Sequence, residues 1–185
     1  EAYSPPLSWA VGAALRAPVA ALKIAPGIPH EAVPAEAEAE WISDGGDVKE
    51  AVLWGGALRD GVVRTATLLP SGAQLRSAGA VVPGVRPPGR YLLEPDGAVI
   101  RAHLVAELVE LVDGWLLDST IAYVGAAAAV PTPYGRWYEV LETLPFSLKA
   151  LRVRLRAHDA GPLVVKKRGT AVEPETLRRQ LRLTG

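Results

Sequence analysis

Apolar residues fall along this chain in short bursts divided by Pro and Gly, and the spacing within each burst predicts an element. Leu7, Val11, Ala14 and Leu15 recur at helical spacing, so a helix is expected from about 7 to 16, with Pro18 stopping it. Residues 20–25 read as a short buried strand, closed by the turn Pro26-Gly27-Ile28-Pro29. Residues 31–38 read as a short irregular helix interrupted by Pro34, and 39–43 as a strand ending in the turn Asp44-Gly45-Gly46. Two readings stand for 48–54. Asp47-Val48-Lys49-Glu50 has capping-box spacing and would open a helix, while a second hairpin strand fits nearly as well. Residues 62–69 are rich in β-branched side chains and predict a strand. The resulting order, one helix followed by several strands, is that of the tail of an α/β sheet.

Residues 70–89 carry Pro70, Pro83, Pro87, Pro88 and several Gly with little periodicity, and read as a linker, although 80–82 have the character of a pairing segment. Beyond them, 90–93 predict a strand. Glu94-Pro95-Asp96 opens a helix whose apolar side is Val99, Ile100, Leu104, Leu108 and Leu111, ending at Gly114. Strands are expected at 120–124 and 136–144, a helix capped by Ser147, a strand at 163–167 and a final helix. The order β-α-β-β-α-β-α is a split βαβ pattern with one added helix.

Composition narrows the chemistry. The 185 residues, 49% hydrophobic and 22% charged, suffice for one ordinary domain or two small ones. Cys is absent, which removes disulfides, thiolate catalysis and thiolate zinc sites, and His30, His103 and His158 lack metal-ligand spacing. No run is long and apolar enough to span a bilayer, and no secretory pattern opens the chain, so a cytoplasmic location is the expectation. The Ala, Arg and Gly usage suits a GC-rich bacterial genome. The start at Glu1-Ala2, without Met, is expected of a piece of a longer protein.

Net charge is zero but uneven. Residues 31–60 are acidic, whereas from Lys149 onward the bases far outnumber Asp159, Glu173 and Glu175. The basic end centres on 163–183. There Lys166, Lys167 and Arg168 follow an apolar run, Gly169 permits a tight turn, Glu173-Pro174-Glu175 opens a helix, and that helix carries Arg178, Arg179 and Arg182. Such an edge faces phosphates or is simply a solvated surface; charge alone favours the second. Arg152 and Arg156 lie upstream of it. Trp9, Trp41, Trp54, Trp115 and Trp137 are expected in the core. Lys23, inside an apolar strand, either snorkels from the sheet end or reaches a site edge, the first being preferred.

Three motifs, in order, carry a resemblance: Gly89-Arg90-Tyr91-Leu92-Leu93-Glu94-Pro95-Asp96 with 98–102; Tyr138-Glu139-Val140-Leu141 with Leu144-Pro145-Phe146-Ser147; and Lys166-Lys167-Arg168-Gly169-Thr170. Together they resemble the C-terminal THUMP-like domain of a group of bacterial class I S-adenosylmethionine-dependent methyltransferases. Tyr3-Ser4-Pro5-Pro6-Leu7 is similar to a segment that follows the motif-IV loop in those proteins, and 23–27 to their next strand and turn. The resemblance implies an α/β fold: the C-terminal part of a Rossmann-like methyltransferase sheet in 1–70, a linker in 71–89, and a small α+β THUMP-like domain in 90–185. It implies Tyr3, Ser4, Pro5 and Pro6 at the rim of a substrate pocket, where Tyr3 would stack on a flipped base; a helix-opening turn stiffened by Pro explains the same residues. It implies RNA, tRNA or rRNA, as partner, with Lys166, Lys167, Arg168, Arg178, Arg179 and Arg182 on phosphates. The sequence departs from the family in lacking a Gly-rich loop between strand and helix, an acidic ribose-holding residue and the Asp-Pro of motif IV. S-adenosylmethionine is therefore expected to serve the longer parent, with none bound by this stretch and no metal. The alternative is a non-catalytic cap or protein-interaction domain on a methyltransferase of another substrate.

Overall fold

The computed structural model describes residues 4–79, 82–167 and 171–181. Contacts divide the chain into two compact units, one reaching to Val140 and one from Leu141 onward.

The larger unit begins with α1 (Leu7–Leu15) and a sheet of five strands: β1 (Val19–Ile24), β2 (Glu38–Asp44), β3 (Asp47–Gly56), β4 (Arg64–Leu69) and β5 (Ala73–Arg76). Their spatial order is β1-β3-β2-β4-β5. β3 lies antiparallel between β1 and β2, and β4 runs parallel to β2. The open choice at 48–54 resolves to the hairpin strand. Gly45 and Gly46 supply positive φ (61° and 93°) in its two-residue turn, the geometry that matches strand twist. Residues 31–38 keep only a 3-10 turn, His30–Ala32.

Register explains the two faces of this sheet. Leu22, Ile24, Ala39, Trp41, Ala51, Leu53 and Ala66 share one face, and Trp41, Ala51 and Ala66 are fully buried there. The other face is polar and forms a ladder across all five strands. Lys23 pairs with Glu50 at 2.6 Å, Trp54 Nε1 donates to Glu40 at 2.9 Å, Thr67 donates to Glu40, and Gln74 donates to Thr67 at 3.2 Å. Lys23 thus sits on a cross-strand ion pair at the solvent face, an exposed contact of small worth.

The unit continues with β6 (Tyr91–Pro95), α2 (Gly97–Arg101), α3 (Val105–Leu111), β7 (Trp115–Asp118), β8 (Ile121–Ala126) and β9 (Gly135–Glu139), the strands forming an antiparallel sheet of order β7-β8-β6-β9. One hydrophobic core joins Trp41 and Ala66 of the first sheet, Ala98, Val99, Ala102, Leu104 and Leu108 of the helices, and Leu93 and Val124 of the second sheet. Residues 71–89, read as a linker, contain β5, and core residues lie on both sides of them.

The single helix expected after residue 94 is two. Asp96 Oδ1 caps α2 by accepting from the Ala98 amide at 2.8 Å. The helix then closes in a Schellman turn: His103 takes φ 55°, its amide donates to Ile100 O at 3.1 Å, and the Leu104 amide donates to Val99 O at 3.0 Å. α3 ends the same way with Asp113 at φ 50°. β7 was not foreseen, and the strand read at 136–144 shortens to β9.

The smaller unit holds α4 (Leu148–Ala157) and α5 (Pro174–Leu181). Ser147 caps α4, its side chain accepting from Ala150, as its sequence position suggests. Leu177 and Leu181 are buried on α5. Residues 163–167 belong to neither sheet, so the strand expected there is corrected. Their burial alternates from Leu163 to Lys167, which preserves the period-2 pattern of the residues without a ladder.

Candidate functional site

The residues proposed for a pocket rim stand at the start of α1. Tyr3 lies outside the described residues. Ser4, Pro5 and Pro6 are exposed, and the Pro6 carbonyl accepts from the Trp9 and Ala10 amides at 3.0 and 3.1 Å, so this stretch acts locally as a helix-opening turn. Beside it is a shallow groove of about 390 Å³ lined by Leu7, Ser8, Val11, Gly12 and Ala32. Its lining is apolar apart from Ser8, which is enough to seat a flat apolar group and too little to perform proton transfer.

The cations of the smaller unit are largely matched by their own neighbours. Lys167 pairs with Glu173 at 2.6 Å and Arg178 with Glu175 at 2.7 Å. Arg179 donates to Thr176 Oγ1 at 3.3 Å. Lys166 is exposed, while Arg168 and Arg182 lie outside the described residues. On α4, Lys149, Arg152 and Arg156 fall at helical spacing on one side. Arg152 is drawn inward, donating from Nη2 to Gln180 O at 2.5 Å and so tying α4 to α5. Arg154 pairs with Glu142 at 3.0 Å. Lys149 and Arg156 are exposed and pair with no carboxylate among the described residues. Ion pairing inside a charge run is not visible from charge counts.

Trp41 is fully buried, with its Nε1 donating to Pro26 O at 3.1 Å, and Trp54, Trp115 and Trp137 are partly buried. Trp9 is a correction: it is 62% exposed on α1. His30 is half-buried and His103 exposed, and their rings stack on each other with centroids 3.6 Å apart. No sequence signal links them across seventy-odd intervening residues.

A cofactor cradle of the Rossmann kind needs a strand, a Gly-rich turn and a helix. In the larger unit, among the described residues, β6 leads into α2 through Asp96, and α2 opens on a single glycine, Gly97. A Cβ there would lie 2.5 Å from Val48 Cγ2, so this glycine serves close packing and leaves no concavity for a nucleotide. The β6–α2 junction is therefore not a Gly-rich cradle of that kind. Among them no group of three or more His, Asp or Glu could hold a metal ion, and no helix is long and apolar enough to cross a membrane.

Residues 135–185 match the family described as THUMP domain-like. Two Mycobacterium tuberculosis proteins, from strains CDC 1551 / Oshkosh and ATCC 25618 / H37Rv, are each 42% identical over 168 residues, which is 89% of this chain and 46% of theirs. Each is named an uncharacterized S-adenosylmethionine-dependent methyltransferase. A crystal structure from Porphyromonas gingivalis W83, described as a "putative methyltransferase", superposes with TM-score 0.69 at 16% identity, covering 89% of this chain and 45% of that one. The chain is a relative of proteins named S-adenosylmethionine-dependent methyltransferases and ends in a THUMP domain-like segment, as its motifs indicate. It spans about half the length of the curated relatives it matches.

Proposed function

We propose that this chain is the C-terminal portion of an S-adenosylmethionine-dependent methyltransferase that acts on RNA, its THUMP-like part positioning the substrate for a catalytic half supplied by the rest of the protein. The observation that carries the reading is identity of 42% across 89% of the chain to methyltransferases more than twice as long as the matched stretch. Two structural features support a larger partner in the same protein. β1 has no strand on its outer edge among the described residues, so the sheet is open to further strands there. α1 is apolar on all sides yet has no buried residue, the character of a helix that belongs inside a larger body. On this reading the cofactor is held outside this chain, the sheet of β1–β4 is the end of the catalytic domain, Tyr3 to Pro6 edge the substrate pocket, and the protein works in the cytoplasm.

Positioning is the main contribution asked of such a unit, because methyl transfer requires alignment of the methyl group with the accepting atom. Lys149, Arg156 and Arg179 would lead the phosphate contacts, joined by Lys166, Arg168 and Arg182. Lys167 and Arg178 would first have to share their carboxylate partners with phosphate. Those ion pairs favour a second reading, a neutralised surface that caps a methyltransferase of a non-RNA substrate. Methyl transfer from tritiated S-adenosylmethionine separates the two, using a protein of the relatives' length and bulk bacterial RNA. Label entering RNA is expected; label confined to protein or small-molecule fractions overturns the RNA reading and leaves the capping role.

A further inference from the structure

One cluster of titratable side chains in the larger unit is used by none of the foregoing. We propose that His30 and His103 form a proton-operated clasp, holding the β1–β2 connection to the α2–α3 corner at neutral pH and releasing it in mild acid. The two imidazoles stack nearly parallel, 15° apart, at 3.6 Å. His30 stacks in turn on the Trp41 indole at 4.8 Å, and Trp41 is fully buried, so the clasp is anchored in the core. His30 Nε2 lies 2.7 Å from the carbonyl of Arg101 and donates to it, which joins the 3-10 turn to the end of α2. His103 occupies the left-handed position of the Schellman turn, where Gly or Asn is the usual resident. A bulky imidazole is held there against its own backbone preference, and the position aims it at His30.

The groups around His103 favour its neutral ring. Arg64 of β4 precedes Ala66, which is in register with Trp41, so its side chain leaves the sheet on the clasp's face; its Nε is buried without a partner. Glu31 and Arg101 are exposed on their elements. Two charged imidazoles at this separation would repel each other, and Arg64 adds to that repulsion. His103 is accordingly held below its ordinary value of 6.5, first by burial, then by His30, then by Arg64. The sign follows from linkage. The unfolded chain takes up this proton more readily than the folded one, so the clasp contributes fully above 6.5 and its contribution is lost as pH falls below that value.

Histidine-ring NMR and amide hydrogen exchange test the clasp on this chain. The His103 ring should titrate below 6.5 in the wild type and at a higher pH in His30→Gln, which removes one of the two neighbouring charges. Exchange in 28–33 and 101–105, corrected for intrinsic rate, should rise together about tenfold between roughly pH 7.5 and pH 5, with β6 and β8 unchanged. His103→Asn suits the left-handed position and should lose that acid-induced rise. An unchanged His103 midpoint in His30→Gln, or an acid-induced rise that persists in His103→Asn, overturns the proposal; the wild-type and His30→Gln titrations decide it even if His103→Asn folds poorly.

Discussion

At the scale of single residues, close packing sets the sharpest constraints. Gly56 takes φ 59°, and a Cβ there would overlap the carbonyl oxygen of Pro18, just before β1. Gly56→Ala should therefore destabilise the larger unit by roughly 2–4 kcal/mol, combining left-handed strain with forced displacement of backbone, as read from urea unfolding. A neutral result would mean that β1 and β3 separate more easily than their register implies. Some of this scale is legible in the sequence: Trp41 sits in the core because an indole in a short alternating strand has nowhere better to go. Trp9 shows the limit of that rule. Its helix is apolar all round, so periodicity cannot say which side faces protein. The His30–His103 stack was invisible for another reason: it joins two distant segments through a backbone position that sequence rules assign to glycine.

At the scale of elements, local chemistry is read well where a cap or turn residue is present and poorly where it is replaced. Asp96 and Ser147 both cap the helices they precede. Asp96→Ala should cost about 1 kcal/mol by removing the acceptor for the Ala98 amide, and an unaltered unfolding midpoint would show that water replaces it. The division of α2 from α3 escaped notice because His103 stands where Gly would have announced a helix end. Asp113 stands at the matching position of α3 with φ 50°. Relief of that strain predicts that Asp113→Gly stabilises the chain by about 1 kcal/mol, measured as a raised denaturation midpoint; a lowered midpoint would show that the carboxylate has a compensating role. Residues 163–167 failed in the opposite sense. Their alternation satisfies the rule for a strand, but a ladder needs a partner edge, which no local pattern supplies.

At the scale of the whole molecule, the mixed α/β class and the kinship to methyltransferases could be reached from motifs, since three separated stretches in the right order are hard to produce by chance. The internal seam could not. Pro and Gly in 70–89 imitate a linker, whereas β5 is built from that stretch and the core continues past it. The division of contacts falls after Val140 instead. Charge was legible as a gradient along the chain but not as a surface, because Glu173 and Glu175 pair with Lys167 and Arg178. Capture of RNA by this basic end is the part of the proposed function that binding can test. The most direct test is binding to a bulk tRNA mixture at several salt concentrations, with the wild-type chain beside a variant carrying Lys149→Ala, Arg156→Ala and Arg179→Ala. The account predicts wild-type affinity that falls steeply with salt, and a variant that binds more weakly with a log–log salt slope shallower by about two, since each lost phosphate contact removes roughly 0.7 of slope. Absence of binding by either protein at low salt would contradict it.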